Sequence, residues 1–152
     1  MTMTIPAAIA LHLLAVVIWV GGMFFAHMAL RPAAAPLPVE VRLPLLGRVF
    51  DRFLPWVWVA VLIILATGYG SLFLALGGVS NVNISVHIMM LLGNLMTLLF
   101  FYLWFFPYRA LQAALRTGNL LVAGYQQVRI RHIISVNLAL GLLTIAVAVG
   151  GR

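Results

Sequence analysis

The chain contains no cysteine and no lysine, and of its 152 residues only Glu40 and Asp51 are acidic. Without cysteine there is no disulfide framework, zinc-finger site, thiolate copper site or iron–sulfur cluster. Both acids fall outside the long apolar runs. No membrane-buried carboxylate is therefore available for proton-coupled transport, a two-carboxylate mechanism or a hard-metal site. No nucleotide-binding motif and no catalytic triad can be assembled, which excludes ordinary hydrolytic catalysis. Charge of either sign is scarce: 7% of residues are charged and 65% are hydrophobic. Soluble domains carry about 25% charged and about 45–50% apolar residues. A globular core cannot hide this much apolar surface, so the solvent is lipid.

No segment alternates with the period of two that a membrane barrel needs. Four long apolar runs remain, over about residues 5–30, 55–76, 84–106 and 132–149. Each is near the ~20 residues that cross a bilayer core. The expected fold is an all-α membrane protein, a four-transmembrane-helix bundle forming one domain over residues 1–152. Arg31-Pro32, Gly77-Gly78, Pro107 and Gly150-Gly151 are the expected stops of the four spans. The opening MTMTIPAAIALHLL has no basic n-region, and its apolar run is too long for a cleaved leader. The first span is expected to stay in place.

The net charge of +7 comes from nine arginines. A nucleic-acid partner would need a basic face on a folded domain, which this chain has no room to make. The arginines instead report topology. Arg31, Arg42, Arg48 and Arg52 lie between the first two spans, and Arg109, Arg116, Arg129 and Arg131 between the last two. The N-terminal segment and the connection GGVSNVN hold none. By the positive-inside rule both arginine-rich connections are cytoplasmic and both termini face out. Within the first connection, residues 43–54 interleave Leu45, Leu46, Val49, Phe50 and Phe53 with Arg48, Asp51 and Arg52. That pattern fits a short helix in the membrane interface leading to Trp56 and Trp58 at headgroup level.

The four histidines carry the chemistry. Ionisable residues in a span are costly and usually face the bundle interior. By depth, His12 and His87 form a pair near one surface and His27 and His132 a pair near the arginine-rich one, each drawn from two helices. Two imidazoles from facing helices can ligate haem iron axially or contribute to a copper site. Offsets of 7 and 11 place His12, Trp19 and Met23 on one stripe of the first span, and His87 and Asn94 on one stripe of the third. Asn94 is a mid-membrane amide that needs a partner. Gly21, Gly22 and Gly93 leave room for a flat macrocycle or for close helix packing. His12 and His27 are separated by about 22 Å along a helix, suited to two haems stacked across a bilayer. Arg31, Arg129 and Arg131 could pair with the propionates of the inner one. Met89 and Met90 beside His87 suit copper(I), although methionines in so apolar a chain also serve as filler. Asn137, Gly141, Thr144 and Ala148 form a small-residue stripe, read as a packing seam.

The segments LHLLAVVIWVGGMFFAHMALRP, VHIMMLLGNLMTLLFFYLWFFPYRAL and RIRHIISVNLALGLL resemble the copper resistance protein D (CopD) family of bacterial inner-membrane proteins. That resemblance implies a bacterial inner membrane, with both termini then on the periplasmic side, and copper handling with a periplasmic partner. It implies outward-facing ligands at His12 and His87, with Met90 assisting. The first span, through His12, Trp19, Gly22 and Phe24, also resembles the HemJ type of protoporphyrinogen oxidase, a small haem-binding membrane protein. That family has a functional lysine in a later helix. This chain has none, so the oxidase activity is not carried over.

These features support three expectations from different classes. The first is a b-type haem protein ligated by His12 and His87, with a second haem allowed at His27 and His132. It would pass electrons between a membrane or periplasmic donor and an acceptor such as quinone, as a haem-dependent oxidoreductase. The second is a copper-binding or copper-transport protein using His12, His87, Met90 and Met23. The third is a structural subunit whose histidines only pack. A homodimer is the commonest assembly for such a chain.

Overall fold

In the computed structural model, which describes residues 4–151, four helices are long and apolar enough to cross a membrane. They are α1, Ile5–Ala34; α2, Val39–Leu74; α3, Ile84–Arg116; and α4, Leu120–Gly150. The final Arg152 lies outside the described residues. This is the all-helical bundle the apolar runs implied. At a rise of about 1.5 Å per residue, even 30 residues make a rod of about 45 Å, against a hydrocarbon core of about 30 Å. The helices therefore continue out of the bilayer core.

That extra length lies mostly at the arginine-rich end. Residues expected to form two long connections there are helical, leaving only 35–38 and 117–119 between helices. Pro107 does not stop α3. The helix widens to i→i+5 turns over Trp104–Tyr108, with Pro107 inside, and continues as an α-helix over Arg109–Arg116. A wide turn accommodates a residue that has no N–H and a ring that would crowd the carbonyl one turn back. Arg31-Pro32 likewise falls within α1, because proline is tolerated in the first turn of the short segment Arg31–Ala34. At the other end Gly77 and Gly78 do end α2, with φ of 73° and 102°, a conformation in which a side chain is strained. Asn83 and Asn119 start α3 and α4 by accepting hydrogen bonds from Val86 N and Val122 N, both at 3.1 Å.

The segment 43–54 is not a separate helix but the first part of α2. Its apolar face is turned to protein: Leu43, Leu46, Phe50 and Leu54 are buried. Gly47 accepts a hydrogen bond from Gln112 Nε2 through its carbonyl at 3.2 Å, and Leu115 packs against its Cα. Tyr108 donates to Asp51 Oδ1 at 2.5 Å. Burying side chains such as Leu46 and Phe50 contributes about 2 kcal/mol each where the alternative is water.

Within the bundle α3 packs most extensively on α4, and α1 on α2. Trp19, Trp58, Phe100, Phe101 and Trp104 form an aromatic column through the middle, with Trp58 stacked on Phe101 at 5.1 Å. Trp58 thus belongs to the interior, whereas Trp56 is exposed on the helix surface. Two wide-turn segments, Val17–Gly21 and Ala26–Leu30, interrupt α1. Each shifts the phase of the helix beyond it, so regular offsets along α1 do not hold over its full length.

Candidate functional site

A cavity of about 360 Å³ lies at the arginine-poor end, between the start of α1, the end of α2, the start of α3 and the end of α4. Its walls are mainly aliphatic. Its polar and soft groups come from His12 and Trp19 on α1, Tyr69 and Ser71 on α2, Met89, Met90, Asn94 and Met96 on α3, and Thr144 on α4. Gly68, Gly93 and Gly141 keep side-chain bulk out of it. The size falls within the range of small-molecule and cofactor sites.

His12 is the one histidine in this lining. Its Nδ1 lies 2.8 Å from Thr67 Oγ1. The Thr67 hydroxyl is 2.6 Å from Ile63 O, one turn back in the same helix, and spends its single proton there. Thr67 Oγ1 can therefore only accept from His12. In its neutral form His12 carries its proton on Nδ1, and the lone pair is left on Nε2. Among the described residues Nε2 has no hydrogen-bond partner. A fixed imidazole with a bare Nε2 is the state in which histidine binds a metal.

Asn94 finds the partner its position demanded. Its Nδ2 donates to Tyr69 Oη at 2.8 Å and to Met90 O at 2.9 Å, and Tyr69 Oη donates back to Asn94 Oδ1 at 3.0 Å. This pair links α2 to α3 across the cavity. Trp19 is buried beside it, edge-on to Phe100 at 6.1 Å.

The other predicted residues fall elsewhere. His87 is exposed and does not line the cavity; its Nδ1 is 3.1 Å from Asn83 O in its own helix. Met23 is buried in the core. Gly22 has the Phe53 ring packed directly on it, so its missing side chain serves helix packing. The α4 stripe divides its roles: Asn137 donates to Met96 O at 3.2 Å, Gly141 packs on Val20 and Met96, and Thr144 and Ala148 line the cavity.

At the arginine-rich end, His27 lines a crevice of about 30 Å³ with Arg31, Gln127 and Arg131. His27 Nδ1 is 3.2 Å from Ser135 Oγ. His132 is exposed and outside this crevice. Arg129 is also outside it: it donates to Tyr102 Oη and to Gln126 Oε1, and lies over the Tyr102 and Tyr125 rings. The crevice holds water-sized groups rather than a macrocycle. In each expected histidine pair, then, one partner lines a depression and the other faces outward. Among the described residues no three of His, Cys, Asp or Glu come together.

Thr67 and Ser135 are the residues that sequence reasoning missed. Their hydroxyls share their helices with other polar groups, Tyr69 and Ser71 in α2 and Asn137 and Thr144 in α4, and nothing in the sequence sets them apart.

Four helices long and apolar enough to cross a membrane, arranged around a cavity lined by an imidazole and thioethers, define a multi-pass membrane protein. The chain belongs to the copper resistance protein D family, whose model matches residues 47–150, more than half of the sequence. The match takes in α3 and α4 with Met89, Met90 and Met96, and leaves out α1 with His12. No curated protein and no solved structure matches.

Proposed function

We propose that the protein is a copper-handling membrane protein that takes copper(I) as cargo in the cavity at its arginine-poor end. Its ligands would be His12 Nε2 with the thioethers of Met89 and Met90. One observation carries the reading: His12, held by Thr67 with its Nε2 lone pair free, lines a cavity that three methionines also line. Imidazole and thioether are the donors that suit copper(I), and the absence of carboxylates from the lining disfavours hard cations. Membership of the copper resistance protein D family agrees with that chemistry. The bilayer is the one partner that the helices themselves require.

The test is competition between the detergent-purified protein and a chromogenic copper(I) chelator. Wild type is expected to take one copper(I) from the chelator. His12→Ala and the Met89→Leu/Met90→Leu double variant, each checked for helicity, are expected to weaken binding by at least tenfold. Undiminished binding in both variants would sink the proposal.

A b-type haem held by His12 and His87 has less support, since His87 is exposed and lies outside the cavity lining. A haem held instead by His12 and a methionine would use the imidazole and thioethers that the cavity does join, a donor pair that also ligates haem iron. A dithionite-reduced spectrum decides between them. Sharp reduced bands would put haem first, and a featureless spectrum with copper(I) bound would leave copper.

A further inference from the structure

We propose that the crevice formed by His27, Arg31, Gln127 and Arg131 is a binding site for a phosphate group. The site is electrostatic in origin and independent of the copper reading. Arg31 and Arg131 are both half-buried, and both line this crevice. Among the described residues neither guanidinium has a hydrogen-bond or carboxylate partner. Cations withdrawn from water need a counter-charge. The chain has only two side-chain carboxylates to offer, Glu40 and Asp51, and neither lines the crevice. Asp51 is engaged by Tyr108. The missing negative charge therefore comes from outside the chain.

The remaining polar groups select the kind of anion. Ser135 spends its proton on Arg131 O at 2.9 Å, so His27 donates to Ser135 through Nδ1 and is held in place. Its free Nε2 resembles that of His12, but two guanidiniums stand beside it, and they repel a metal cation. Two forked cationic donors and a side-chain amide in one lining suit an anion with several oxygens. A space of about 30 Å³ admits the oxygens of one phosphate while the rest of the ligand stays outside. At the mouth of a membrane helix bundle such a phosphate comes either from an anionic lipid headgroup or from solution.

The two sources are separated by titrating the full chain, in uncharged detergent, with dihexanoyl phosphatidylglycerol below its micelle concentration and, separately, with inorganic phosphate. Saturable binding is expected, weakened at least tenfold in Arg31→Gln and in Arg131→Gln, less in Arg131→Lys, and unchanged in the exposed control Arg48→Gln/Arg52→Gln. Binding of phosphatidylglycerol alone assigns a lipid site. Binding of inorganic phosphate with the same dependence on Arg31 and Arg131 assigns a soluble one. Binding of neither probe, or equal loss in the control, overturns the proposal. Circular dichroism and gel filtration of each variant separate loss of the site from loss of the fold.

Discussion

At the scale of single residues, the proposed copper(I) site depends on which nitrogen of His12 holds its proton. Thr67 decides this, because its own proton is committed to Ile63 O and only its lone pair faces His12. Thr67→Val keeps the shape and removes the acceptor. Copper(I) affinity is expected to fall about 10- to 100-fold, the usual cost of losing the group that orients a metal-binding histidine. Thr67→Ser is expected to restore it. Nitrogen-15 correlation spectra of the metal-free protein should show His12 protonated at Nδ1 in wild type and in the serine variant, and a mixture of tautomers in the valine variant. A wild-type spectrum with the proton on Nε2 would rule out this role for Thr67 whatever copper does. His12, Trp19, Met89, Met90 and Asn94 were legible in the sequence because polar or soft groups stand out in apolar helices. That His87 points away was not, since depth fixes only one coordinate of a residue on a helix and rotation fixes the other. Thr67 was hidden for a related reason: a hydroxyl can satisfy itself on its own helix, so its presence does not announce a partner.

At the scale of elements, the apolar runs located all four helices, but proline and arginine misled about their ends. Pro107 reads as a stop only if the helix must keep one hydrogen-bond register. The wide turn at Trp104–Tyr108 removes that requirement and carries α3 on to Arg116. Arginine-rich stretches read as connections because charge leaves the bilayer core, yet leaving the core does not end a helix. Asn119, which caps α4 well ahead of the expected span, was the overlooked signal. The seam between helices is set by small residues. A Cβ on Gly141 would lie 2.9 Å from a Val20 methyl and 3.2 Å from Met96 Cε. Methionine can give way, whereas the β-branched valine is stiff. Gly141→Val is therefore expected to force α4 away from α1 and cost about 1–3 kcal/mol, in the range of other overpacked interiors. Gly93, whose Cβ would meet nothing within 4 Å, is the matched control. Thermal unfolding in detergent should show a clear fall in Tm for Gly141→Val and little change for Gly93→Val. Equal falls in both would mean that the seam is not where the geometry puts it.

At the scale of the whole molecule, the two ends of the bundle differ in charge. The cavity with His12 and the methionines has no arginine in its lining, while the crevice beside His27 has two. Under the proposed reading, the end that faces the cytoplasm would decide from which side copper(I) is loaded, and the arginine distribution predicts that the cavity end faces out. The absence of cysteine makes this simple to test, because a single introduced thiol is the only one in these 152 residues. Ser80→Cys lies in the arginine-free connection between α2 and α3, and Thr117→Cys in the short connection between α3 and α4. A membrane-impermeant maleimide is expected to label Ser80→Cys in intact cells and Thr117→Cys only after permeabilisation. The reverse pattern would turn the protein over and place the copper cavity on the cytoplasmic side. It would also set the positively charged crevice against the outer leaflet, away from the anionic cytoplasmic surface that such a site would meet. The labelling therefore tests one arrangement in which both sites face the compartments their chemistry suits.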